Sequence, residues 1–390
     1  MRQPAGSQRR RHLSLVLGEI QRRGAAGRNE IARGSGLSRT TVSGIVAELL
    51  AGGLLAEAPD RRPAAGSGRP TTLLTLRPDA GSLLGVHLAH DGVQVALADL
   101  RGEILDVRSV PLDMDHRPAE ALGFATDAVR ELADHSPTVA SPVGIGVAIS
   151  GPTLDGRPVT TGGLLPDWAD VDVAARLERD TGLPVHVGND ANLGALAEGT
   201  YGVARDRPDF VYVMLAEGVG AGIVLGGELY EGMAGAAGEL GHVLTTADGV
   251  ICRCGGRGCL ETVAGGPALV RALAPTRGST TTVPDVLAWA ADGDAGALRV
   301  LDDAGRAVGR ALATACAVLD VDLVVVGGYA AGAGEPLIDA IREGLRATTP
   351  PALGRTIEVT AGRLGTQAEL IGAIAAAGRA VVVPTLLPSV

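Results

Sequence analysis

The chain has 390 residues, is 46% hydrophobic but only 2% aromatic, holds 57 glycines and carries a net charge of −10. That length exceeds one ordinary core and requires two or three domains, with Val, Leu, Ile and Ala to fill them. No apolar run reaches the length of a membrane span, the basic start lacks the apolar stretch of a signal peptide, and four cysteines are too few for a disulfide framework, so a cytoplasmic protein is expected.

The charge is uneven. Residues 1–72 hold 12 of the 34 arginines against 5 acidic residues, so a basic head precedes an acidic body. A basic head suits a polyanion, although a solvated arm would carry the same charge.

Leu13, Val16, Leu17 and Ile20 recur at i, i+3, i+4, i+7 and predict a helix with one apolar face. A short helix is expected over 29–33, then a tight turn at Gly34 and Gly36. Ser38 reads as the N-cap of a third helix with the stripe Val42, Ile45, Val46 and Leu49. Ser38, Arg39, Thr40, Thr41 and Ser43 near its start are short donors and a guanidinium, suited to phosphates and base edges in a major groove. Two strands near 54–57 and 71–76 would flank a loop holding Arg61, Arg62 and Arg69, the last in a Gly-Arg-Pro step suited to a minor groove. Together these elements read as a winged helix-turn-helix. A small helical bundle for protein contacts is the alternative.

From Leu83 a β-meander is expected, broken at Asp91-Gly92 and Arg101-Gly102. A helix follows over 118–132, then a buried strand at 143–149 ending in a glycine turn. A helix near 171–182 leads to a strand that runs into a polar turn at Asn189-Asp190. A hairpin pair lies within 210–227. A helix, a buried strand and a glycine loop occupy 311–332. Two αβ lobes with glycine loops at strand ends would place a ligand in the cleft between them.

Three of the four cysteines crowd into "CRCGGRGC". His242 precedes Cys252 by ten residues, Cys254 follows by two and Cys259 by five more. One imidazole and three thiolates suit tetrahedral Zn²⁺ in a closed structural site with no position for an activated water. Three reduced cysteines in a loop are the alternative. Cys316, on an apolar helix, reads as core.

"GELGHV" with "CRCGGRGCLE", and next "NDANLGALAEG", resemble the ROK family (repressors, open reading frames and kinases), in the subset with an N-terminal winged helix-turn-helix. The resemblance spans nearly the whole chain. It implies a two-lobed actin-like (sugar kinase, ribonuclease H-like) body over 77–390, behind a DNA-binding head over 1–76, and a zinc loop at 242–259. It implies a sugar site of Gly151, Asn189, Asp190, Glu239, His242 and Glu261, with Asp190 the base in an active kinase. Gly162 and Gly163 stand where many relatives carry Asn or Thr.

Kinases of the family open with an Asp-x-Gly-Gly-Thr phosphate loop. Here the segment reads His87-Leu88-Ala89-His90-Asp91, and the second loop, Gly-Thr-Gly in the family, reads Ala216-Glu217-Gly218. At an effective dielectric near 20, a carboxylate about 4 Å from phosphate costs about 4 kcal/mol. The expectation is a sugar-responsive regulator, a repressor by resemblance, with a degenerate kinase body and no catalytic activity. Its partners would be operator DNA and a sugar or sugar phosphate, in a homodimer or homotetramer away from membranes. An active ATP-dependent sugar kinase with a fused DNA-binding head is the main alternative.

Overall fold

A computed structural model describes residues 5–59, 72–134, 140–154, 156–159, 165–328, 332–349 and 356–380. Arg61, Arg62, Arg69, Gly162 and Gly163 lie outside the described residues.

Three helices open the chain: α1 (Ala5–Arg23), α2 (Arg28–Ser35) and α3 (Arg39–Ala51). The apolar stripes of α1 and α3 are buried in one cluster, as their period requires. Ser38 Oγ accepts the Thr41 N–H at 3.1 Å, the N-cap bond that starts α3. The expected turn needs correction. α2 runs through Gly34, and Gly36 alone, at φ +68°, makes the stop. Gly34 serves packing instead, because a Cβ there would lie 2.2 Å from the Glu19 carboxylate. β1 (Leu55–Pro59) and β2 (Thr72–Leu76) pair antiparallel as the strands of a wing.

The first lobe contains β3 (Ser82–Ala89), β4 (Gly92–Asp99), β5 (Ile104–Pro111), α4 (Pro118–Asp134) and β6 (Pro142–Ile149). A small hairpin, β7 (Thr153–Leu154) and β8 (Arg157–Pro158), precedes α5 (Val173–Thr181), β9 (Val185–Asn189) and α6 (Asp190–Thr200). The second lobe holds β10 (Phe210–Leu215), β11 (Val219–Leu225), β12 (Glu228–Leu229), α7 (Glu261–Ala264), α8 (Gly266–Arg277) and α9 (Val283–Ala291). It continues through α10 (Ala295–Leu319), β13 (Leu323–Gly327), α11 (Glu335–Thr348) and β14 (Glu358–Ala361) to α12 (Ala368–Ala380).

The two sheets repeat one plan. Their orders are β5-β4-β3-β6-β9 and β12-β11-β10-β13-β14. In each, an antiparallel meander supplies three strands and two parallel strands extend it. This duplicated lobe is the actin-like sugar kinase fold that the resemblance implies. Cys316 is buried on α10, in the core as expected.

Glycines let α12 and α6 approach their neighbours backbone to backbone. A Cβ at Gly146 would lie 1.8 Å from the Ala373 carbonyl oxygen of α12, and one at Gly372 would lie 1.9 Å from the Leu193 carbonyl oxygen of α6. The head is not a tethered bead. Leu13, Val16, Leu17 and Ile20 share one apolar cluster with Leu83, Leu370 and Ile374 of the body. Ser14 Oγ donates to the Arg379 carbonyl at 2.8 Å. Burying a side chain of this size stabilises by about 1.5–3 kcal/mol, so the shared core holds the head firmly.

Candidate functional site

β9 ends at Asn189, and the chain turns directly into α6. The expected polar turn is therefore a cap. Asn189 Oδ1 accepts the Asn192 N–H at 3.0 Å, and Asp190 is the first helical residue. The spare amide of Asn189 donates to the Gly151 carbonyl at 2.9 Å. Gly151 itself sits at φ +93°, a conformation open to glycine.

Asp190 is buried. Its Oδ2 accepts Ser150 Oγ at 2.7 Å and its Oδ1 accepts the Ala191 N–H at 2.7 Å. Burial pushes its carboxyl above the ordinary range, while the Ser150 bond and the charge of His90 pull part of the way back.

Glu239 and His242 lie on a single 3-10 turn and its cap, with Glu239 Oε2 3.7 Å from His242 Nε2. Burial, with the charges of Asp190 and Glu261, raises the Glu239 carboxyl to about 7. Near neutrality this group can therefore both donate and accept. Glu261 opens α7. Its Oε2 accepts the Val219 N–H at 3.3 Å and its Oε1 accepts Arg253 Nε at 3.0 Å.

Arg253 was not among the residues singled out from the sequence. Its Nη1 lies 3.8 Å from Asp115 Oδ2, and Asp115 Oδ1 lies 2.5 Å from His90 Nδ1. A line of charge thus crosses from the first lobe to the loop of the second. Its position between Cys252 and Cys254 was the available signal. Glu369 was also missed. It is buried on α12, accepts the Tyr212 hydroxyl at 2.8 Å and lines the same cleft. No local motif marks it.

The other side of His242 faces the thiols. Cys252 Sγ lies 3.7 Å from His242 Nδ1, and Cys254 Sγ lies 3.7 Å from Cys259 Sγ. The four ligand atoms lie within 4.8 Å of one another and could hold a metal ion. Gly258, at φ +68°, closes the loop, since a Cβ there would lie 1.7 Å from the Thr246 carbonyl oxygen.

Gly151, Asn189, Asp190, Glu239, His242 and Glu261 all line one cleft of about 940 Å³. His87, Asp91 and Glu217 line it too. His87 is half-buried, with its Nε2 closed off and without a partner, and burial and the charge of His90 lower it to about 4, so it is neutral at pH 7. On the head, Arg39, Thr40 and Ser43 are exposed on α3. Ser38 and Thr41 bond each other, Oγ to Oγ1 at 2.8 Å, and so work within the cap.

A winged helix-turn-helix fused to an actin-like sugar kinase body, with an acid-lined cleft beside a His-Cys₃ cluster, defines the class. The ROK family profile matches residues 83–380, and the chain belongs to that family. It is 26% identical over 366 residues to a xylose repressor of Bacillus spizizenii, covering 92% of both chains. It is 30% identical to a glucokinase of Halalkalibacterium halodurans over 74% of this chain and 92% of that one. Among solved structures it is similar to a ROK family transcriptional regulator, a homologue of the E. coli MLC protein, with TM-score 0.73 and 26% identity over 94% of this chain and 97% of that one.

Proposed function

We propose that the chain is a sugar-responsive DNA-binding repressor whose kinase-like body senses a sugar or sugar phosphate and has lost phosphoryl transfer. One observation carries this reading: the xylose repressor and the ROK regulator match 92% and 94% of the chain, more than residues 77–390 alone can supply, while the glucokinase matches 74%. The head, residues 1–76, would dock on operator DNA through Ser38, Arg39, Thr40, Thr41 and Ser43, with Arg61, Arg62 and Arg69 on the wing. The body, residues 77–390, would hold the sugar on Gly151, Asn189, Asp190, Glu239, His242 and Glu261. A homodimer or homotetramer in the cytoplasm completes the proposal.

The cluster fits a structural zinc. Sulfurs about 2.3 Å from a tetrahedral ion stand about 3.8 Å apart, close to the 3.7 Å between Cys254 and Cys259. His242, Cys252, Cys254 and Cys259 would hold it, and bound zinc would supply a fixed charge that pins the loop. His242 would meet the metal through Nδ1 and leave Nε2 for the sugar beside Glu239.

Asp190 accepts hydrogen bonds from a serine and a backbone amide, so it would serve as an acceptor for a sugar hydroxyl. Glu217 and Asp91 line the cleft, and carboxylates there would oppose a nucleotide's phosphates, which need backbone donors. A sugar favouring one closure of the lobes would shift the head by its differential affinity for the two states.

Fluorescence anisotropy on upstream DNA, titrated with a panel of sugars and sugar phosphates, tests this. Sequence-specific, salt-sensitive binding that one sugar weakens is expected, and sequence-independent binding under every condition refutes it. In a coupled ADP-release assay with the same panel, turnover should stay well below about 1 s⁻¹, the low end for kinases. Turnover above that restores the kinase reading.

A further inference from the structure

The head meets the body over a second cavity, of about 300 Å³, walled by α1, α6, α12 and the turn between β11 and β12. Four arginines line it, Arg11, Arg22, Arg207 and Arg379, against two glutamates, Glu19 and Glu228. Three of the arginines have acid partners. Arg11 bonds Glu228 at 2.9 Å, Arg22 pairs with Glu19, and Arg207 reaches Asp322 at 2.6 Å and Glu358 at 3.1 Å.

Arg379 is different. Among the described residues no carboxylate pairs with it. Its Nη2 donates to the Thr200 hydroxyl at 3.0 Å, and its Nε is closed off from solvent without an acceptor. It is tucked beneath α1, where a Cβ at Gly18 would stand 3.4 Å from Nε. Burial lowers this guanidinium below its ordinary value, Tyr201 offsets part of that, and the charge of Arg22 adds to it. The carboxyl ends of α6 and α12 lie near it, yet a helix end carries only about half an elementary charge. A half-buried cation with no carboxylate partner, lining a cavity rich in arginine, is the chemistry of an oxyanion site.

We propose that this cavity binds a phosphate-type oxyanion, either inorganic phosphate or the phosphate of a phosphorylated metabolite, between Arg379 and Arg22. The anion would touch the head through α1 and the body through α12, fastening the two in their docked arrangement. This second input is separate from the acid-lined cleft and does not depend on the sugar reading.

The test is calorimetry on the full chain with inorganic phosphate, glucose 6-phosphate and glucose, at constant ionic strength set with chloride. Saturable phosphate binding is expected, with Arg379→Met and Arg22→Gln each weakening it about tenfold, the loss of roughly one charge-assisted bond. Arg379→Met should fold, because replacing a half-buried charge that lacks a carboxylate partner by an apolar side chain is tolerated. If it does not fold, Arg22→Gln decides alone. Glu239→Gln should leave phosphate binding intact, which separates this cavity from the cleft. Glucose 6-phosphate binding tighter than phosphate in the Glu239→Gln chain, and weakened with Arg379 replaced, identifies a phosphorylated metabolite; equal affinities identify free phosphate. No saturable phosphate binding, or binding indifferent to both arginine substitutions, overturns the proposal.

Discussion

Cys259→Ser should empty the metal cluster and abolish the sugar response while leaving operator DNA binding in place. Zinc bound by four such ligands is worth on the order of 10 kcal/mol of folding free energy, and a hydroxyl is a poor substitute for a thiolate. Without metal, burial pushes the Cys252 thiol up to about 12, a hydrogen bond from the Cys254 backbone pulls part of the way back, and the Glu261 carboxylate nearby adds to the rise. A cation reverses that preference, so metal binding should release protons and weaken as pH falls. The loop that carries Glu239 on one side and Glu261 on the other then loses its anchor. Metal content, sugar calorimetry and anisotropy on DNA read the three effects separately. A Cys259→Ser chain that keeps its metal and its sugar heat would sink the proposed role of the cluster.

The second large effect belongs to packing. Gly146→Ala should destabilise by roughly 4 kcal/mol and prevent ordered folding at physiological temperature. Its Cβ would sit 1.8 Å from the Ala373 carbonyl oxygen and 2.5 Å from the carbonyl carbon, both main-chain atoms of a buried helix. Neither can swing aside as the end of a side chain can. Gly123→Ala on α4 is the control. Nothing lies within 4 Å of the added methyl, and alanine favours a helix over glycine by about 1 kcal/mol. Urea melts of both chains would show it; equal midpoints would contradict the close contact between β6 and α12.

Much of this was legible along the chain. The head announced itself because its apolar residues repeat at helical period and its cap is a single serine, both local signals. The cluster of His242 and three cysteines was equally local, since the ligands fall within one loop. The meander of the first lobe could be read from turns at Asp91-Gly92 and Arg101-Gly102, whereas its repeat in the second lobe, where β12 has two residues, was read only as a hairpin pair. What escaped was long-range. Asn189 looked like a polar turn because the same side chain suits a turn and an N-cap, and only the helix that follows distinguishes them. Arg253 bridges to Asp115, more than a hundred positions away, and nothing near either residue specifies the pairing. Glu369 sits in an alanine-rich helix with no motif, and its place in the cleft comes from the fold alone. The docking of α1 on the body could not be read either, because its apolar stripe serves α3 and the body at once.

Helices α6 and α12 lie side by side with the same polarity. Asp190 and Glu369, at their amino ends, border the acid-lined cleft, while Thr200 and Arg379, at their carboxyl ends, meet beneath the head. Ten helical residues span about 15 Å and hardly compress. In the proposed regulator the pair would act as a double pushrod: a tilt imposed at the Glu369 end would sweep the Arg379 end, and the seat of α1 would move with it.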